Sequence, residues 1–453
     1  MSATAKTGGH ANNKLWVRMY RVGFGDCFLV AVPAKKGPHF ILIDCGEHKS
    51  HLGSLPAAVA DIAAVTGKHL ALVIATHRHA DHIRGFYQCA ELFQDFTVDA
   101  VWLSHWDNPD NGRAVAFQSN LVAQATAFEQ RLRALAADDE AARAALGLTG
   151  FLTGADEQAR ERNGSNLTGN KAALAMLTGA PADPVYHFKN NPVRAYYRGG
   201  EQPTLPAALA ATGLKAAILG PPTNPELLDD MDAPQQYLQL AAEAALTGPL
   251  LPFDAGWRTA RPSARALHPL TTRQLDDLIA RLRPEELLAG AARADRTVNN
   301  QSLVVLFTLG RKTLLFSGDA QWGNWEQFLF GQEVNKATAA PPLLEASRKI
   351  LAGLRLYKVG HHGSTNATPI VAVEALRQGV VSLCSTEPDC HGHAENNSEV
   401  PRQPLLIELG KKGSVIRSDQ VAAGDQPPTQ DLPTSLPKHC TSPRKQLFID
   451  YEF

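Results

Sequence analysis

The chain has 453 residues, 44% of them hydrophobic, which is enough for a large buried core. Its 44 basic and 45 acidic side chains give a formal net charge of −1, so no global charge excess attracts a polyanion or an acidic membrane. Six scattered cysteines without a CxxC pair favour reduced thiols and a cytoplasmic setting. No apolar run approaches the roughly 18 residues of a membrane span, so we expect no membrane partner.

Short apolar or alternating segments separated by glycines open the chain. They predict strands at Leu15–Tyr20, Cys27–Val32 and His39–Asp44, a helix at Leu55–Val65, a buried strand at Leu70–Ala75, a helix around Gly85–Phe93 and a strand at Ala100–Ser104. This order indicates a layered α/β core.

Alanine-rich sequence with helical spacing interrupts that pattern twice. Helices are predicted at Ala114–Leu148, Pro225–Leu246 and Gln274–Leu282. We therefore expect helical insertions at 107–192 and 223–295, between core parts at 1–106, 193–222 and 296–420. Further strands are predicted at Val193–Tyr197, Leu214–Leu219, Ser302–Thr308, Thr313–Phe316, Leu354–Val359, Val380–Cys384 and Leu405–Ile407. Residues 421–453 are expected to be an irregular tail, although Leu447–Tyr451 could add a last edge strand.

Four potential metal ligands lie within six residues, directly after the buried strand Leu70–Ala75. They are His77, His79, Asp81 and His82. Imidazole suits zinc and similar metals, whereas carboxylates suit harder cations such as manganese. His77 and His79 can converge on one ion, and Asp81 and His82 can turn toward a second. A histidine-rich surface loop is the alternative interpretation.

Two more predicted strands end in potential ligands. One is followed by Gly318-Asp319 and the other by Gly360-His361-His362. Each motif is weak alone, because Gly-Asp is a common turn and a histidine can simply close a turn. Three strand ends that each deliver His or Asp fit one metal site better than three coincidences.

Together these motifs resemble the metallo-β-lactamase superfamily and, within it, the ComEC-like branch, here without the membrane channel. The matching segments are His77 to His82 for the HxHxDH signature, Asp44-Cys45-Gly46, the opening segment Val22 to Cys27, Asn299-Asn300-Gln301-Ser302, Gly318-Asp319, His361 to Ser364, and Gly392-His393. The resemblance implies an αββα sandwich of two sheets covered by helices, here with helical insertions. Asn299 and Asn300 stand where many relatives carry a histidine.

The resemblance also implies a role for each matching position. His77, His79 and His361 would bind a first metal, Asp81 and His82 a second, and Asp319 would bridge them. His361 is favoured over its neighbour His362 because it directly follows the strand. Catalytic roles are expected for Asp81, His362 and Asn300. Contacts to a ligand or to substrate are expected for Asp44, Asp26, His105, Ser364 and His393. Lys358 is expected to be solvated, and His105 could equally be an ordinary polar residue at a strand end.

Three functions remain open at this level. The first is a phosphodiesterase or nuclease that uses a metal-activated water, with one or two zinc ions or manganese as cofactor and nucleic acid as a candidate substrate. The second is a lactonase, thioesterase or amidase that acts on a small molecule. The third is an interaction protein that retains the fold. The sequence gives neither the metal nor the oligomeric state.

Overall fold

Two large β-sheets and the helices around them make up the described part of the molecule, which is a computed structural model. The described residues are 14–48, 52–135, 146, 149, 165, 167, 169–229, 284–331, 342–392, 394, 398–421, 440–441 and 447–453.

The strands and helices of these ranges alternate along most of the chain. The strands are β1 (Trp16–Tyr20), β2 (Cys27–Val32), β3 (His39–Cys45), β4 (His69–Leu70), β5 (Leu72–Ile74), β6 (Thr97–Val98), β7 (Ala100–Ser104), β8 (Val193–Tyr197), β9 (Lys215–Gly220), β10 (Val304–Leu309), β11 (Lys312–Phe316), β12 (Leu356–Lys358), β13 (Val380–Cys384), β14 (Gly413–Arg417), β15 (Cys440–Thr441) and β16 (Phe448–Glu452). The helices are α1 (Leu55–Thr66), α2 (Ala80–Gln88), α3 (Ala90–Phe93), α4 (Gly112–Leu135), α5 (Gly169–Thr178), α6 (Ala207–Ala210), α7 (Pro225–Asp229), α8 (Pro284–Asn299), α9 (Trp322–Phe330), α10 (Glu345–Gly353), α11 (Ile370–Ala375) and α12 (Gln403–Lys412).

Both large sheets combine an antiparallel part with a parallel part. The first has the order β15-β16-β1-β2-β3-β5-β7-β8, and the second has the order β14-β13-β12-β11-β10-β9. Strands β3, β5, β7 and β8 run parallel in the first sheet, and β11 to β14 run parallel in the second. Because neighbouring parallel strands end at the same edge, the segments that follow β3 and β5 lie together, as do those that follow β11 and β12.

The two sheets pack face to face across an apolar core. Phe28 of β2 meets Phe316 of β11 with ring centroids 5.9 Å apart, and Trp102 of β7 stacks on Phe307 of β10 at 6.4 Å. Side chains of both sheets therefore interdigitate in one shared layer.

Helices cover the outer face of each sheet. Phe86 and Phe93, on α2 and α3, pack with strand residues such as Val73 on the first sheet. Trp325 of α9 packs with strand residues such as Leu315 on the second. The four layers are helix, sheet, sheet and helix, which confirms the predicted αββα sandwich. The boundaries of the insertions stay a prediction.

The strand predicted at Leu405–Ile407 is wrong, because these residues lie inside helix α12. Leu405 and Leu409, one helical turn apart, are buried, whereas Ile407 is 47% exposed. This burial pattern has helical rather than alternating period, and three apolar residues in a row cannot distinguish the two.

The helix predicted around Gly85–Phe93 begins earlier than expected. Helix α2 starts at Ala80, so Asp81 lies in its first turn, where the helix dipole favours a carboxylate. The predicted strand Leu70–Ala75 is divided between β4 and β5, which belong to different sheets.

The C-terminal residues are less irregular than expected. Strand β16 pairs with β1 on one side and with β15 on the other, so it is not an edge strand. Asp450 of β16 accepts two hydrogen bonds from the buried Arg18 of β1, at 2.7 and 2.8 Å. This ion pair ties the last strand to the first.

The predicted helical insertions are described only in part. Helix α4 confirms residues 114–135 of the helix predicted at Ala114–Leu148, and α7 confirms the start of Pro225–Leu246. The helix predicted at Gln274–Leu282 lies outside the described residues. Among the helices of the described ranges, none is long and apolar enough to cross a membrane.

Candidate metal centre

Four chain segments at the ends of strands and the start of one helix converge on a buried site. His77 and His79 follow β5, and Asp81 and His82 occupy the first turn of α2. The third and fourth segments follow the parallel strands β11 and β12 and carry Asp319 and the two neighbouring histidines, respectively. The predicted convergence of distant segments is therefore present in the structure.

Two aspartates and two histidines form a close group at the centre of the site. The Nε2 atom of His362 lies 2.9 Å from Asp81 Oδ2 and 3.4 Å from Asp319 Oδ2. The Nε2 atom of His82 lies 3.1 Å from the same Asp319 oxygen and 3.7 Å from Asp81 Oδ2. All four donor atoms fall within 4.8 Å of one another. We call Asp81, His82, Asp319 and His362 the four-residue group.

A second pair of donors lies beside this group. His77 Nε2 and His79 Nδ1 are 3.1 Å apart, and the His77 ring centroid is 4.1 Å from that of His82. Two imidazole nitrogens that face each other at this distance can bind one ion from adjacent positions. We call His77 and His79 the histidine pair.

The donor set fits a divalent cation. The side chains of the four-residue group are at most 3% exposed, so two carboxylates are held away from water. Asp81 Oδ1 is buried and has no hydrogen-bond partner among the described residues. Buried carboxylates are costly unless a positive charge compensates them, and a cation bound by these atoms would supply that charge.

His82 is oriented by a carboxylate behind it. Its Nδ1 atom lies 2.8 Å from Asp44 Oδ2, so the opposite nitrogen is directed toward the four-residue group. The Asp44 carboxylate also accepts hydrogen bonds of 2.7 Å from the backbone N–H and the hydroxyl of Thr76. Asp44 thus contacts the ring nitrogen of His82 that faces away from the four-residue group, and such a partner fixes which nitrogen is available to a metal.

Neutral oxygen atoms hold two other imidazoles. His362 Nδ1 lies 2.9 Å from the carbonyl oxygen of Ser385, and His77 Nδ1 lies 3.3 Å from Ser302 Oγ. In both residues the nitrogen on the other side of the ring, Nε2, remains directed at the site. Such contacts fix the orientation of imidazoles that bind metal ions.

A buried lysine contacts Asp319 from the side away from the histidines. Lys358 Nζ donates to Gly318 O at 2.9 Å and to Asp319 Oδ1 at 3.3 Å, and it pairs with Asp26. The backbone N–H of His361 also donates to Asp319 Oδ1, at 3.0 Å. One oxygen of Asp319 is thereby engaged, and the other, Oδ2, faces the histidines.

The expectation that Lys358 is solvated is therefore wrong, because the residue is 1% exposed. Burial opposes its charged form, but Asp26 and Asp319 outweigh burial and raise the pKa of Lys358. Lys358 belongs to β12, in the parallel part of the second sheet, and side chains of such strands are buried.

The histidines of the two subsets differ in their pKa shifts. Burial lowers the pKa of His77 well below its usual value and that of His79 to about 4, so both rings are neutral and able to bind a metal. Burial has the same effect on His82 and His362, but Asp319 and Asp81 outweigh it and raise the pKa of both. A cation between these residues would displace the protons that otherwise balance the carboxylates.

Backbone strain marks two of the strand ends. Asp44, His361 and His362 adopt φ angles of 54°, 43° and 51°, in the left-handed region that residues with a side chain avoid. Such conformations cost about 1–3 kcal/mol each and persist where surrounding contacts hold them. They turn the chain sharply enough for two consecutive histidines to face different partners.

The structure places His362, and not the favoured His361, in the four-residue group. His361 Nδ1 instead lies 2.6 Å from Ser364 Oγ and 3.1 Å from Asn366 Oδ1, and its Nε2 lies 3.3 Å from the Asn299 amide nitrogen. Ser364 therefore contacts His361 directly. The geometry favours His362 as the ligand beside Asp81 and Asp319.

Asn300, predicted to be catalytic, makes backbone contacts. Its Oδ1 accepts hydrogen bonds from the N–H groups of Gln321 and Asn324 at the start of α9, at 3.1 and 3.2 Å. Its amide donates to the carbonyl of Leu228 at 3.2 Å. These contacts tie the side chain to the start of α9 and to α7, and its catalytic role stays a prediction.

The remaining predicted residues have mixed positions. Asp26 is buried behind the four-residue group, where it pairs with Lys358 and lies 3.6 Å from His82 Nδ1. His105 follows β7, one strand farther from the site than β5, and its neighbours are Trp106 and Asn111. His393 lies outside the described residues.

Two features of the site were not predicted from the sequence. Asp295 of α8 is buried, with Oδ1 3.6 Å from His79 Nε2, and burial together with Asp81 raises its pKa to about 8. The ring of Phe24 lies between those of His362 and His391, with centroids 4.3 and 4.5 Å away. The only sequence signal for Asp295 is its position one helical turn before Asn299.

Comparisons with known proteins give little further support. No family model and no curated protein matches the chain. Among solved structures, the chain is similar to the metallo-beta-lactamase fold protein YhfI from Bacillus subtilis, with 9% sequence identity and a TM-score of 0.34 over 89% of this chain and 97% of that chain. Because this TM-score is low, the fold assignment rests on the layers and sheet order. The ComEC-like branch and the cytoplasmic setting stay predictions.

Proposed function

We propose that the protein is a metal-dependent hydrolase that cleaves phosphodiester bonds. The observation that carries this proposal is the four-residue group, in which two carboxylates and two imidazoles with donor atoms within 4.8 Å lie beside a second pair of facing imidazoles. Such an arrangement would supply donors for two adjacent cations. A purely structural ion would need only one closed set of ligands.

Zinc is the proposed cofactor, with one or two ions per chain, and manganese is the alternative. Imidazole nitrogens favour zinc, and the two carboxylates also suit manganese. The four-residue group would hold one ion and the histidine pair the other. When bound, divalent cations at such a site activate a water molecule for attack and stabilise the negative charge that develops on substrate oxygens.

The protein's own side chains would orient the donors and handle protons. Asp81 Oδ1, buried and without a hydrogen-bond partner among the described residues, can accept a proton. Lys358 and the His361 N–H hold Asp319 Oδ1, so its other oxygen stays directed at the imidazoles. This fixed geometry reduces the reorganisation that catalysis requires.

The phosphodiester assignment is supported by the sequence resemblance, through Asn299 to Ser302 and His361 to Ser364, and it makes nucleic acid a candidate substrate. A small-molecule lactonase, thioesterase or amidase is the second candidate. The burial of the donor side chains favours it, since each member of the four-residue group is at most 3% exposed. A compact substrate reaches such atoms more easily than a folded polymer does.

The test uses the full chain, stripped of metal by a chelator and reloaded with Zn²⁺ or Mn²⁺. Hydrolysis of bis-nitrophenyl phosphate, single-stranded DNA and RNA is measured beside nitrophenyl esters and lactones. We expect phosphodiester turnover that requires metal and falls by at least about 100-fold in Asp81→Asn. Asp99→Asn is the matched control, because Asp99 pairs with the exposed His69 and its own side chain is 37% exposed.

Two results would count against the proposal. Phosphodiester turnover that survives chelation or the Asp81→Asn substitution would show that the four-residue group is not the active site. Turnover of esters or lactones alone, again dependent on metal, would replace the phosphodiesterase by the second candidate.

A further inference from the structure

We propose that Asp295 is a positioning residue for His79, which it orients so that Nδ1 faces His77, and that it thereby sets the metal affinity of the histidine pair. This inference rests on the proposed function, because it requires a metal centre. It assigns a role to the helix that closes the second predicted insertion.

The first argument is the orientation of the His79 ring. Its Nδ1 atom lies 3.1 Å from His77 Nε2, whereas its Nε2 atom lies 3.6 Å from Asp295 Oδ1. An imidazole has one nitrogen on each of these sides, so when Nδ1 binds a metal, Nε2 carries the proton. A carboxylate beside Nε2–H stabilises that tautomer and makes Nδ1 a better donor.

The second argument is a matching contact on the other side of the centre. His82 is held by Asp44, whose Oδ2 lies 2.8 Å from the Nδ1 atom. The two carboxylates thus contact opposite nitrogens of their histidines: Nδ1 in His82, and Nε2 in His79. Each leaves the remaining nitrogen directed into the site, so the donor atoms of the two histidines are set by two separate segments of chain.

The third argument is the rigidity of the helix that carries Asp295. On α8, Ala294 and Val298 pack against Leu121 and Ala125 of α4 in a small apolar cluster. All four side chains are at most 8% exposed. Helix α4 belongs to the first predicted insertion, so the two insertions pack against each other here. This packing holds the carboxylate of Asp295 beside the site. Packing of this kind holds a supporting residue in place.

The fourth argument is the charge near the histidine pair. Neither member of the pair is a carboxylate, and the two carboxylates of the four-residue group lie beside the imidazoles of His82 and His362. Asp295 adds a carboxylate on the side of His79 that faces away from His77. A cation bound at the pair and the ionised carboxylate of Asp295 would attract each other. Removal of this carboxylate should affect this position more than the other.

The experiment is a zinc titration of the full chain after removal of metal, with a chromophoric chelator as competitor and Co²⁺ absorption as a second readout. Wild type, Asp295→Ala, Asp295→Asn and Thr297→Ala are compared. Thr297 is the matched control, since it is buried on the same helix and its hydroxyl donates to the carbonyl of Arg293.

We expect wild type to bind two ions, and Asp295→Ala to bind the one at the histidine pair about 10–100-fold more weakly. Asp295→Asn should be intermediate, because its amide oxygen still places a partial negative charge beside His79 Nε2 but carries no full charge. Thr297→Ala should bind as wild type does. The Co²⁺ spectrum of Asp295→Ala should lose the contribution that His79→Ala also removes.

The inference is overturned if Asp295→Ala binds both ions as tightly as wild type. It is also overturned if wild type binds a single ion that His79→Ala does not release. In both cases metal-dependent hydrolysis can persist, so the proposed function stands. A wild-type chain that binds no metal would overturn the proposed function and this inference together.

Discussion

Replacement of Lys358 by methionine should destabilise the metal-free protein strongly. The substitution keeps an unbranched side chain that is one heavy atom shorter, and it removes the ammonium group together with its hydrogen bond to Gly318 O. It leaves Asp26 and Asp319, each 1% exposed, without their common cationic partner. A buried carboxylate that has lost its ion-pair partner keeps its desolvation cost and loses the attraction that offset it.

The magnitude follows from the geometry. Lys358 Nζ lies 3.3 Å from Asp319 Oδ1, and opposite unit charges at that distance attract by about 5 kcal/mol at an effective dielectric constant of about 20. Loss of one partner from a buried ion pair costs about 3–5 kcal/mol. We expect a loss in this range for the free energy of unfolding. It is a large part of the total stability of an ordinary domain.

Saturating zinc should reduce the difference between the two proteins. A cation bound next to Asp319 supplies positive charge that the variant lacks. Both proteins gain about 4 kcal/mol at about 1,000 times the dissociation constant, so the difference shrinks by the amount that zinc binds the variant more tightly. The variant should also bind zinc more tightly than wild type does, since the ammonium that repels the ion is gone.

The assay is urea unfolding followed by circular dichroism, in chelator and again in excess zinc. Lys349→Met is the control, because Lys349 is 74% exposed and its ion pair with Glu345 lies on the surface. We expect no measurable change there. A chelated Lys358→Met protein with the urea midpoint of wild type would refute the reasoning, because the carboxylates would then be shown not to depend on the lysine.

Two further predictions concern the histidines and the tight backbone contact beside them. Burial holds the pKa of His79 at about 4 in the folded protein, below the value of about 6.5 in the unfolded chain, so stability falls as the pH drops from 6.5 toward 4. In urea unfolding of the chelated protein, wild type should lose about 2 kcal/mol more than His79→Gln between pH 7 and pH 5; an identical loss would contradict this. Gly46→Ala should abolish zinc binding or unfold the chain, because a Cβ atom there would lie 2.4 Å from the backbone of Asp81 and His82. Gly353→Ala, where a Cβ atom meets nothing within 4 Å, should retain full zinc content by elemental analysis, and retention by Gly46→Ala as well would contradict the prediction.

The parts of the fold that the sequence predicted are those in which local pattern and burial agree. Strand β2 is apolar throughout and buried throughout, so its bounds follow from the sequence. The strand prediction at Leu405–Ile407 is wrong because three apolar residues in a row do not show whether the hydrophobic period is that of a strand or of a helix. The sequence alone does not decide whether the last strand, β16, forms. Its partner β1 lies more than 400 residues earlier in the chain, and no local signal reports such a pairing.

The residues of the candidate site also differ in whether local sequence reveals them. His77, Asp81 and His82 are recognisable because they are close together and follow a buried strand. The sequence could not decide whether His361 or His362 faces the site, because this depends on left-handed backbone angles at both residues. Spacing along a chain gives no information on which of two consecutive side chains turns inward when the backbone leaves its ordinary regions.

The burial of Lys358 and Asp295 at the site was not predicted, for a different reason. Each is a charged residue in an otherwise unremarkable strand or helix, and such residues are usually solvated. Their burial makes sense only when the opposite charge or the imidazole beside them is known. The donors that would bind a metal can therefore be found from a motif, whereas the charges that orient and balance those donors come from parts of the fold that the motif does not include. The histidine pair would depend on Asp295, which lies on the insertion helix α8. Asp319 depends on Lys358, which lies on the neighbouring strand β12. Variation in these supporting segments could change metal affinity while every residue of the motif stays the same.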